Sequence, residues 1–574
     1  MTDKHQIAAM LEEIGLLLEL KGESPFKSNA YYNAARTIEA LSEDIAELVA
    51  SGRIRELKGI GTALAEKLAE LVGTGRLRYY EELKRSVPEG LLEMTAIPGM
   101  GPKKIMAVWQ QLGITTVGEL EYACVENRLV GLPGFGQKTQ EKIMQGILQL
   151  KKRRGYHLYA NVIGEVEQIV NALTAVPGVR QVEVVGELRR RMEIVRSIEL
   201  LVATERPERV LEALGRMESV GGLSREGAVI RGTSALGLPV IVSVAPTIAA
   251  HTLLSATGSQ AHLAMLAARA ARMGVRWNLD PQAGGLAPEA ASEAALYETV
   301  GLPFIEPELR EGMGEIEAAE ARRLGPLVEP RHIQGIFHNH TTDSDGSASL
   351  EDMVAAAKAL GYRYIGISDH SQSAFYANGL KEDRVREQHA AIDALRKRVT
   401  GIAIFKGIEA DILADGSMDY PDDVLARFDF VIASVHSRFN LPEEEQTARV
   451  IRALSNPHVT MLGHPTGRLL LSREGYRIDM KRVIDGAKQH GKVIEINANP
   501  HRLDLDWRLC AYAKAQGVKV SINPDAHATD GLRDVPFGVN VARKGGLSPA
   551  DVVNTLGPDE ILSALAGRRS RERK

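Results

Sequence analysis

The segment IFHNHTTDSDG (336–346) opens the part of the chain that decides its fold. From there to residue 527 one pattern recurs, in which a short apolar run ends on a side chain that can bind a metal. The later runs are IGISDH (365–370), FKGIEAD (405–411), FVIASVH (430–436), VTMLGH (459–464) and VKVSINPDAH (518–527). Runs rich in isoleucine and valine, separated by segments of helical period, are typical of parallel strands with crossover helices. Together with VIEIN (493–497), they predict about seven strand–helix units.

The polar residues at the ends of these runs are metal ligands by type. In parallel barrels the carboxyl ends of the strands converge on one face, so these side chains are expected to meet. Imidazole and carboxylate groups at this density suit zinc or manganese, and also iron. Any one of these histidines is more often a satisfied polar residue, but core packing does not explain a whole set, because buried polar groups need partners. The predicted ligands are His338, His340, Asp345, His370, Glu409, His436, His464, Asp525 and His527.

The motifs HNHTTDSDG, SDH, GIEAD, ASVH, GHP and NPDAH resemble the successive motifs of the PHP phosphoesterase family, over roughly residues 331–574. The resemblance implies a distorted (β/α)7 barrel that binds three divalent ions, manganese or zinc. It assigns the first ion, and the catalytic role, to His338, His340, Glu409 and Asp525. It lets Glu409 bridge to a second ion held by His436 and His464, and gives a third ion to Asp345, His370 and His527. Asp343 is a close alternative to Asp345.

Clustered divalent ions indicate the chemistry that the barrel performs. Such ions lower the pKa of a bound water and stabilise the charge that develops on a phosphate under attack. The sequence therefore predicts metal-dependent hydrolysis of a phosphoester. Arg438, Arg468 and Arg502 follow ligand-bearing or strand-end segments, where each either contacts a phosphate or is solvated on the surface.

Whole-chain composition narrows the class of protein. A length of 574 residues predicts several domains, and a net charge of −4 does not by itself indicate nucleic acid. The two cysteines, Cys124 and Cys510, cannot form a disulfide framework. We see no apolar run long enough to cross a membrane and no signal peptide, so we expect a cytoplasmic protein.

The N-terminal region repeats a Gly-x-Gly turn that opens a helix. The copies are LKGIGTALAEKL (57–68), IPGMGPKKIMAV (97–108) and LPGFGQKTQEKI (132–143). Two glycines let the backbone approach an anion, and the amides of the following helix point at the same place. Such turns contact a phosphate backbone without reading base sequence, and they resemble the helix-hairpin-helix motif. The predicted DNA-binding residues are Gly59, Gly61, Gly99, Gly101, Lys103, Gly134, Gly136 and Lys138; ordinary helix packing is the alternative.

Residues 24–41 and the first Gly-x-Gly turn resemble the small N-terminal domain of family X DNA polymerases. In that family the lysine of a T-x-x-A-E-K phrase forms a Schiff base during removal of 5′-deoxyribose phosphate. The phrase TALAEK (62–67) puts Lys67 at this position. A lysine needs a lowered pKa to act as a nucleophile. The alternative is a surface lysine that contacts phosphate.

The resemblance to family X continues through VEVVGELRRRMEIVRSIELLVATE (182–205), SATGSQAHLAML (255–266) and GLPFIEPELREGMGEIEAA (301–319). It implies a nucleotidyltransferase-like palm and a thumb. Ser197 and Glu199 stand where the family has two aspartates, Ile241 where it has the third, and Glu187 where it has a serine. Nucleotidyl transfer needs two metals on three carboxylates, so we expect weak or lost polymerase activity and doubt a magnesium ion there. The predicted nucleotide site is Arg189, Arg190, Gly258 and Ser259, with salt bridges to nearby acids as the alternative for the arginines.

These patterns combine into one architecture, a multidomain α+β and α/β protein of the bacterial family X polymerase type with a PHP domain. The predicted domains are a lyase-like helical domain (1–82), helical fingers (83–155), a palm (156–246), a thumb (247–320), a linker (321–332) and the PHP domain (333–574). By the family resemblance, the barrel is a 3′→5′ exonuclease or 3′-end-processing phosphodiesterase for DNA repair, including base-excision repair. We expect a monomer that binds gapped, nicked or 3′-recessed DNA.

Three alternatives remain open from the sequence. The first is an active polymerase whose metals are held by Glu187, Glu193 and Glu199. The second is a phosphatase for small molecules such as histidinol phosphate, against which the Gly-x-Gly turns argue. The third is a non-catalytic DNA-binding scaffold with structural metals.

Overall fold

The computed structural model describes residues 4–570 except 40, 42, 44, 58, 152–154, 276 and 278–289. Its contacts divide the chain into two units, Met1–Leu150 and Lys151–Lys574. The described part contains no helix that is long and apolar enough to cross a membrane.

The first unit is helical. Apolar residues at helical spacing, such as Ile7, Leu11, Ile14 and Leu18 in the first helix, are buried in one shared core. The helices are α1 (Lys4–Leu20), α2 (Pro25–Glu39), α3 (Ile45–Ala50), α4 (Thr62–Thr74), α5 (Arg78–Arg85), α6 (Glu89–Met94), α7 (Pro102–Leu112), α8 (Val117–Val125) and α9 (Gln137–Lys151), with a 3₁₀ turn at Arg53–Glu56.

The second unit begins with a five-stranded sheet covered by helices. The elements are β1 (His157–Leu158), α10 (Tyr159–Thr174), β2 (Gln181–Val184), α11 (Gly186–Arg189), β3 (Ile194–Val195), β4 (Ile198–Ala203), α12 (Pro207–Gly215), β5 (Val220–Glu226), β6 (Val229–Ser234) and β7 (Pro239–Ala245). The sheet order is β2-β4-β7-β6-β5, and β4 runs parallel to β7. Alternating apolar residues of β4 and β7 face the apolar stripe of α10, which explains why this layer is stable.

Short helices follow the sheet and have a small core of their own. They are α13 (Ala250–Thr257), α14 (Gln260–Arg272), α15 (Glu293–Thr299) and α16 (Glu315–Glu320), with 3₁₀ turns at Pro307–Leu309 and Pro330–His332. Glu308 joins this layer to its neighbours, because its Oε1 lies 3.1 Å from Nε of Arg191 and 2.8 Å from Nε of Arg543.

The C-terminal part is a barrel of parallel strands in chain order. The strands are β8 (Gly335–Ile336), β9 (Tyr364–Ile367), β10 (Ala403–Asp411), β11 (Phe430–Ser434), β12 (Met461–Leu462), β13 (Val493–Asn497) and β14 (Val520–Asn523), and they form one seven-stranded sheet. A parallel bridge between Asn339 and Ala526 brings its two edges together. The outer elements are the helices α17 (Leu350–Ala359), α18 (Glu382–Arg396), α19 (Asp422–Leu425), α20 (Glu443–Leu454), α21 (Met480–Gln489), α22 (Trp507–Gln516), α23 (Val535–Lys544) and α24 (Pro558–Ser570), with 3₁₀ turns at Phe375–Ala377, Thr529–Asp534, Pro549–Asp551 and Val553–Thr555.

Aromatic rings fill one end of the barrel. The ring centroids of Phe337 and Phe430 are 5.0 Å apart, and both rings are fully buried. Phe430 fits because Gly407 has no side chain: a Cβ there would lie 2.1 Å from the ring. The predicted fold class is confirmed. The other end of the barrel is polar and can carry an active site. The predicted domain boundaries stay predictions.

Candidate metal centre

All nine predicted ligands lie at the carboxyl ends of the barrel strands. They follow or end β8, β9, β10, β11, β12 and β14, which is where parallel strands present side chains to one face. Every one is buried except Asp345 and His436, which are partly exposed. The structure therefore brings the whole predicted set into one place.

Glu409 is the centre of the cluster. Its Oε1 lies 2.8 Å from Nε2 of His464, 3.2 Å from Nε2 of His436 and 3.3 Å from Nε2 of His338. Its Oε2 lies 2.9 Å from Nδ1 of His370. A carboxylate with imidazoles around both oxygens could hold cations together with these rings, which is the role that the family resemblance implies for Glu409.

Asp345 organises the other side of the cluster. One of its oxygens lies 3.4 Å from Nε2 of His527, and the other lies 3.5 Å from Nε2 of His370. The His340 ring stacks on His527 with centroids 4.1 Å apart, so it belongs to the same group. The alternative residue, Asp343, accepts a hydrogen bond from Gln388 instead.

The groups of candidate ligands differ from the predicted sets at His464 and at His340. His464 forms a compact group with His338 and Asp525, whose ligand atoms lie within 4.8 Å of one another, and its ring centroid also lies 5.2 Å from that of His436, the partner predicted for it. His340 joins the group of Asp345, His370 and His527. The other groups are His340, Asp345, His370 and His527; His338, His340 and Glu409; and His370, Glu409 and His436. His338, His340, His370 and Glu409 each belong to two of these groups.

Two carboxylates that the sequence analysis did not single out orient these ligands. Nδ1 of His338 donates to Glu495 and Nδ1 of His436 donates to Asp411, each at 2.7 Å, so that Nε2 of each ring faces Glu409. Glu495 also accepts from the backbone of His464. Hydrogen bonds of this kind set the tautomer and the orientation of ligating histidines. The available signals were Glu495 inside the apolar strand VIEIN and Asp411, the second acid of GIEAD.

The chemistry of the donors fits divalent cations. Burial alone would raise the pKa of Glu409, but the charges of His436, His338 and His370 hold it well below its usual value. Burial lowers the pKa of His340 to about 3. Burial alone would lower the pKa values of His338, His370 and His436, but the neighbouring carboxylates raise them, so a cation would bind to these rings by replacing their protons.

Polar atoms without hydrogen bonds point to the same ligand class. Within the described residues, both ring nitrogens of His340 and Oε2 of Glu409 are buried without a hydrogen bond of good geometry, although Nε2 of His340 lies 3.2 Å from Asp525 and Oε2 of Glu409 lies 2.9 Å from His370. Buried polar groups are normally satisfied, so a cluster of such exceptions requires a further partner such as an ion. The residues present therefore fit the predicted metals.

The three nearby arginines take different positions. Arg502 lies at the cluster, with Nε 3.5 Å from Oδ2 of Asp525. Arg438 is exposed on the loop after His436. Arg468 has neither of its predicted placements, because it is buried in ion pairs with Glu193 and Asp506.

The five-stranded sheet holds no comparable cluster. Ser197 donates to Glu199 at 2.6 Å, and Glu199 faces Ile241 in register on the neighbouring strand. Glu187 accepts from the backbone and the guanidinium of Arg196 at 2.9 and 3.0 Å. Among the described residues, every group of candidate metal ligands lies in the barrel.

The predicted nucleotide site is occupied by internal contacts. Arg189 donates to Glu293 at 2.6 Å, and Arg190 donates to Glu311 at 2.9 Å. Gly258 ends α13, and Ser259 caps α14 by accepting from a backbone amide of that helix. Both arginines thus make the salt bridges that the sequence left as an alternative.

The Gly-x-Gly turns share one backbone geometry. The first glycines have φ values of 88°, 90° and 84°, at Gly59, Gly99 and Gly134, in the region where L side chains are strained. The residue between the glycines closes each turn by donating to a carbonyl three residues earlier, from Ile60 to Leu57, Met100 to Ile97 and Phe135 to Leu132. The second glycines, Gly61, Gly101 and Gly136, are exposed and directly precede α4, α7 and α9. The helix N-termini are therefore accessible to an anion.

The lysines near these turns differ in exposure. Lys103 and Lys138 are exposed beside their turns. Lys67 is half-buried, with Nζ 4.5 Å from the centroid of the Tyr79 ring. It lines a groove of about 500 Å³ together with Lys27, Gly59 and Gly61.

Sequence comparisons agree with this layout. Profiles match for a helix-hairpin-helix domain over residues 2–77, a SAM-like helix-hairpin-helix tandem over 91–147, a DNA polymerase beta thumb over 252–311 and a PHP domain over 337–499. The chain is 36% identical to the DNA polymerase/3′-5′ exonuclease PolX of Bacillus subtilis (strain 168), over 98% of this chain and 99% of that protein. The chain belongs to the bacterial PolX family.

Other relatives match a smaller part of this PolX-family chain. A probable phosphatase of Thermoanaerobacter sp. (strain X514) is 28% identical over 38% of the chain and 89% of its own length. A probable phosphatase of Caldicellulosiruptor saccharolyticus is 34% identical over 33% of the chain and 78% of its own length.

Proposed function

We propose that this PolX-family chain is a metal-dependent DNA phosphodiesterase, acting as a 3′→5′ exonuclease or in cleaning 3′ ends. The observation that carries the proposal is the buried cluster around Glu409, in which imidazoles surround both carboxylate oxygens. Three divalent ions, manganese or zinc, would be held by the nine ligands. When bound, such ions supply an activated water and neutralise charge on the phosphate.

The chain's own residues define how a substrate is held. Glu495 and Asp411 fix the rings of His338 and His436, which keeps the donor atoms in place. Arg502 puts a guanidinium at the rim beside Asp525, where it would pair with a phosphate oxygen. Burial of the ligands keeps bulk water out and strengthens each electrostatic interaction.

We propose DNA as the partner because the first unit carries turns that suit a phosphate backbone. Its Gly-x-Gly turns present exposed helix N-termini, with Lys103 and Lys138 beside two of them. Such contacts hold the phosphate backbone independently of sequence. We propose gapped, nicked or 3′-recessed DNA as substrate, with a place in base-excision repair. The predicted domain boundaries, monomeric state, cytoplasmic location and lyase role of Lys67 belong to the same proposal.

We propose further that templated polymerisation is weak or lost. Ser197, Glu199 and Ile241 do not offer three carboxylates, and Glu187, Glu193 and Glu199 face different partners: Arg196, Arg468 and Ser197. An active polymerase would need these side chains to leave their partners and converge. Primer extension on gapped DNA tests this directly.

The nuclease experiment uses DNA labelled at either end. Wild type with manganese is expected to shorten 5′-labelled strands stepwise and to stop after chelation, while Asp525→Asn is expected to be inactive but to bind DNA. DNA binding without cleavage, by wild type as well as by Asp525→Asn, would favour the scaffold alternative. Faster turnover of histidinol phosphate than of DNA would favour the small-molecule phosphatase.

A further inference from the structure

A groove of about 590 Å³ is lined by two loops that leave the metal centre. Phe439 in its lining comes three residues after the ligand His436, and Gly467 comes three residues after the ligand His464. The remaining lining comes from residues 440–442 and 473–477. The groove is therefore built on segments that directly follow two metal ligands.

An aromatic pair and an arginine form one wall of this groove. The rings of Phe439 and Tyr476 stack with centroids 5.8 Å apart and planes 8° from parallel. The guanidinium carbon of Arg473 lies 4.7 Å from the Phe439 centroid, and its Nη2 donates to the Gly467 carbonyl at 2.9 Å. Planar groups arranged in this way are the surfaces on which nucleobases stack.

This wall is hydrogen-bonded to the loop that carries the ligand His464. Tyr476 donates its hydroxyl to the carbonyl of Pro465, next to the ligand His464, at 2.8 Å. Gly467 has φ of 59°, and a Cβ there would lie 2.8 Å from the Tyr476 ring. The stacked pair therefore sits at a fixed place relative to the ligand loop.

The charge of the groove suits a polyanion. Arg473 and Arg477 line it together with one acid, Glu474. Arg438 is exposed directly before Phe439, and Glu443 is exposed directly after Pro442. Arginine binds phosphate and also stacks on flat rings. The volume lies within the range of about 300–1,000 Å³ that is usual for small-ligand sites, so one nucleotide fits.

We propose that this groove binds one nucleotide of the DNA strand whose 3′ end lies in the metal centre. The base would stack on Phe439 and Arg473, and its phosphate would meet Arg477 and Arg438. The inference rests on the proposed nuclease function and adds to it a subsite that reads a flat base but not its identity. Phe439 is then a substrate-binding residue outside the metal cluster.

The kinetic test compares Phe439→Leu with Phe439→Trp in the full-length protein. Loss of stacking is expected to raise KM for single-stranded DNA about tenfold with a smaller change in kcat, and tryptophan is expected to restore it. Arg473→Ala is expected to behave like the leucine variant. Arg452→Ala is the matched control, because it removes an arginine from a separate groove of about 390 Å³ on the same barrel.

An abasic series locates the nucleotide. Oligonucleotides with one abasic position, moved stepwise from the 3′ end, are expected to lose affinity at one position with wild type. Phe439→Leu is expected to bind that abasic strand and the intact strand equally. If the affinity losses caused by the abasic position and by Phe439→Leu add together, the proposed subsite is wrong. It is also wrong if no abasic position lowers the affinity of the wild type.

A binding readout separates this inference from the nuclease proposal. A strand with 2-aminopurine at the sensitive position, or at each of the four terminal positions in turn, is mixed with the Asp525→Asn protein. Stacking is expected to quench the fluorescence, and Phe439→Leu or Arg477→Ala to weaken the quench. Quenching without any cleavage by wild type would refute the nuclease proposal and leave nucleotide binding in the groove standing. Cleavage with unchanged KM and unchanged fluorescence in both variants would refute the nucleotide subsite and leave the nuclease proposal standing.

Discussion

At the residue scale, the barrel's chemistry depends on side chains that hold other side chains. The ligands themselves could be predicted because each follows an apolar run, so the sequence marks both its type and its position. Glu495 could not be singled out in the same way, because it lies inside a strand and its role depends on His338 from another strand. The grouping of His464 with His338 was likewise not predictable, since it depends on how the barrel closes.

Glu495→Gln tests this orienting role. The amide cannot accept from His338 and from the backbone of His464 with the strength of a carboxylate. We expect metal affinity to fall about 10–100-fold, because partners of ligating histidines typically contribute this much. Equilibrium dialysis with manganese or zinc measures the change, and circular dichroism checks the fold. Wild-type affinity in a folded variant would contradict the assignment.

At the element scale, the helix-hairpin-helix turns and the buried ion pairs of the second unit were not equally predictable. The turns follow from local glycine patterns and were predicted in sequence. Contacts such as Glu193 with Arg468, 275 positions apart, depend on how layers meet and leave no local signal. This is why Arg468 was misplaced.

Lys103→Ala and Lys138→Ala test the turns as a DNA-binding element. Each exposed lysine is expected to release about one counterion, so each variant should reduce the slope of log K against log salt by about 1 for any sequence. Fluorescence anisotropy with gapped DNA measures this slope. Lys84→Ala is the control, because Lys84 pairs with Glu13 instead. A slope that changes as much in the control would remove the turns from the interface.

Glu293 tests the ion pairs between the sheet and the helices after it. It is buried between Arg189 and Arg310, which donate to its two oxygens. Glu293→Ala leaves two arginines without their acid, and we expect a loss of about 3–5 kcal/mol in stability. Chemical denaturation followed by tryptophan fluorescence measures it, with the exposed Glu205→Ala as control. A loss below 1 kcal/mol, a bound set by typical surface substitutions, would contradict a structural role.

The same residue gives a pH dependence. Burial alone would raise the pKa of Glu293, but hydrogen bonds and charge from Arg189 and Arg310 hold it below the usual 4.5. A lowered folded pKa stabilises the protein above the unfolded value, and this stability is lost as pH falls through the folded value. The difference in melting temperature between wild type and Glu293→Gln should therefore be largest above pH 4.5 and shrink in more acidic buffer. A difference that grows on acidification would refute this explanation.

At the scale of the whole molecule, a barrel with the nine predicted ligands is joined to a five-stranded sheet in which Ser197, Glu199 and Ile241 take the places predicted for three carboxylates. The barrel could be predicted because strand and helix periods are local, whereas the sheet was predicted from the family resemblance. Loss of polymerisation is a proposal that reconstruction can test. Ser197→Asp, Glu199→Asp and Ile241→Asp together place three carboxylates on neighbouring strands.

We expect the triple variant to extend primers at least about 100-fold faster than wild type, because a restored metal clamp is worth about 3 kcal/mol or more. Gap filling on a labelled primer measures the rate, in an Asp525→Asn background that stops degradation. Efficient extension by the unchanged sheet would show that it needs no such carboxylates.

The central claim is that ions held by Glu409 and its histidines make the barrel a DNA-end nuclease. Its most direct test measures bound manganese or zinc by elemental analysis, and removal of 3′ nucleotides, on the same samples of wild type and Glu409→Gln. The account predicts up to three ions and stepwise cleavage in wild type, with both lost together in the folded variant. Undiminished cleavage by a variant that has lost the ions, or a metal-free wild type that still degrades DNA, would contradict it.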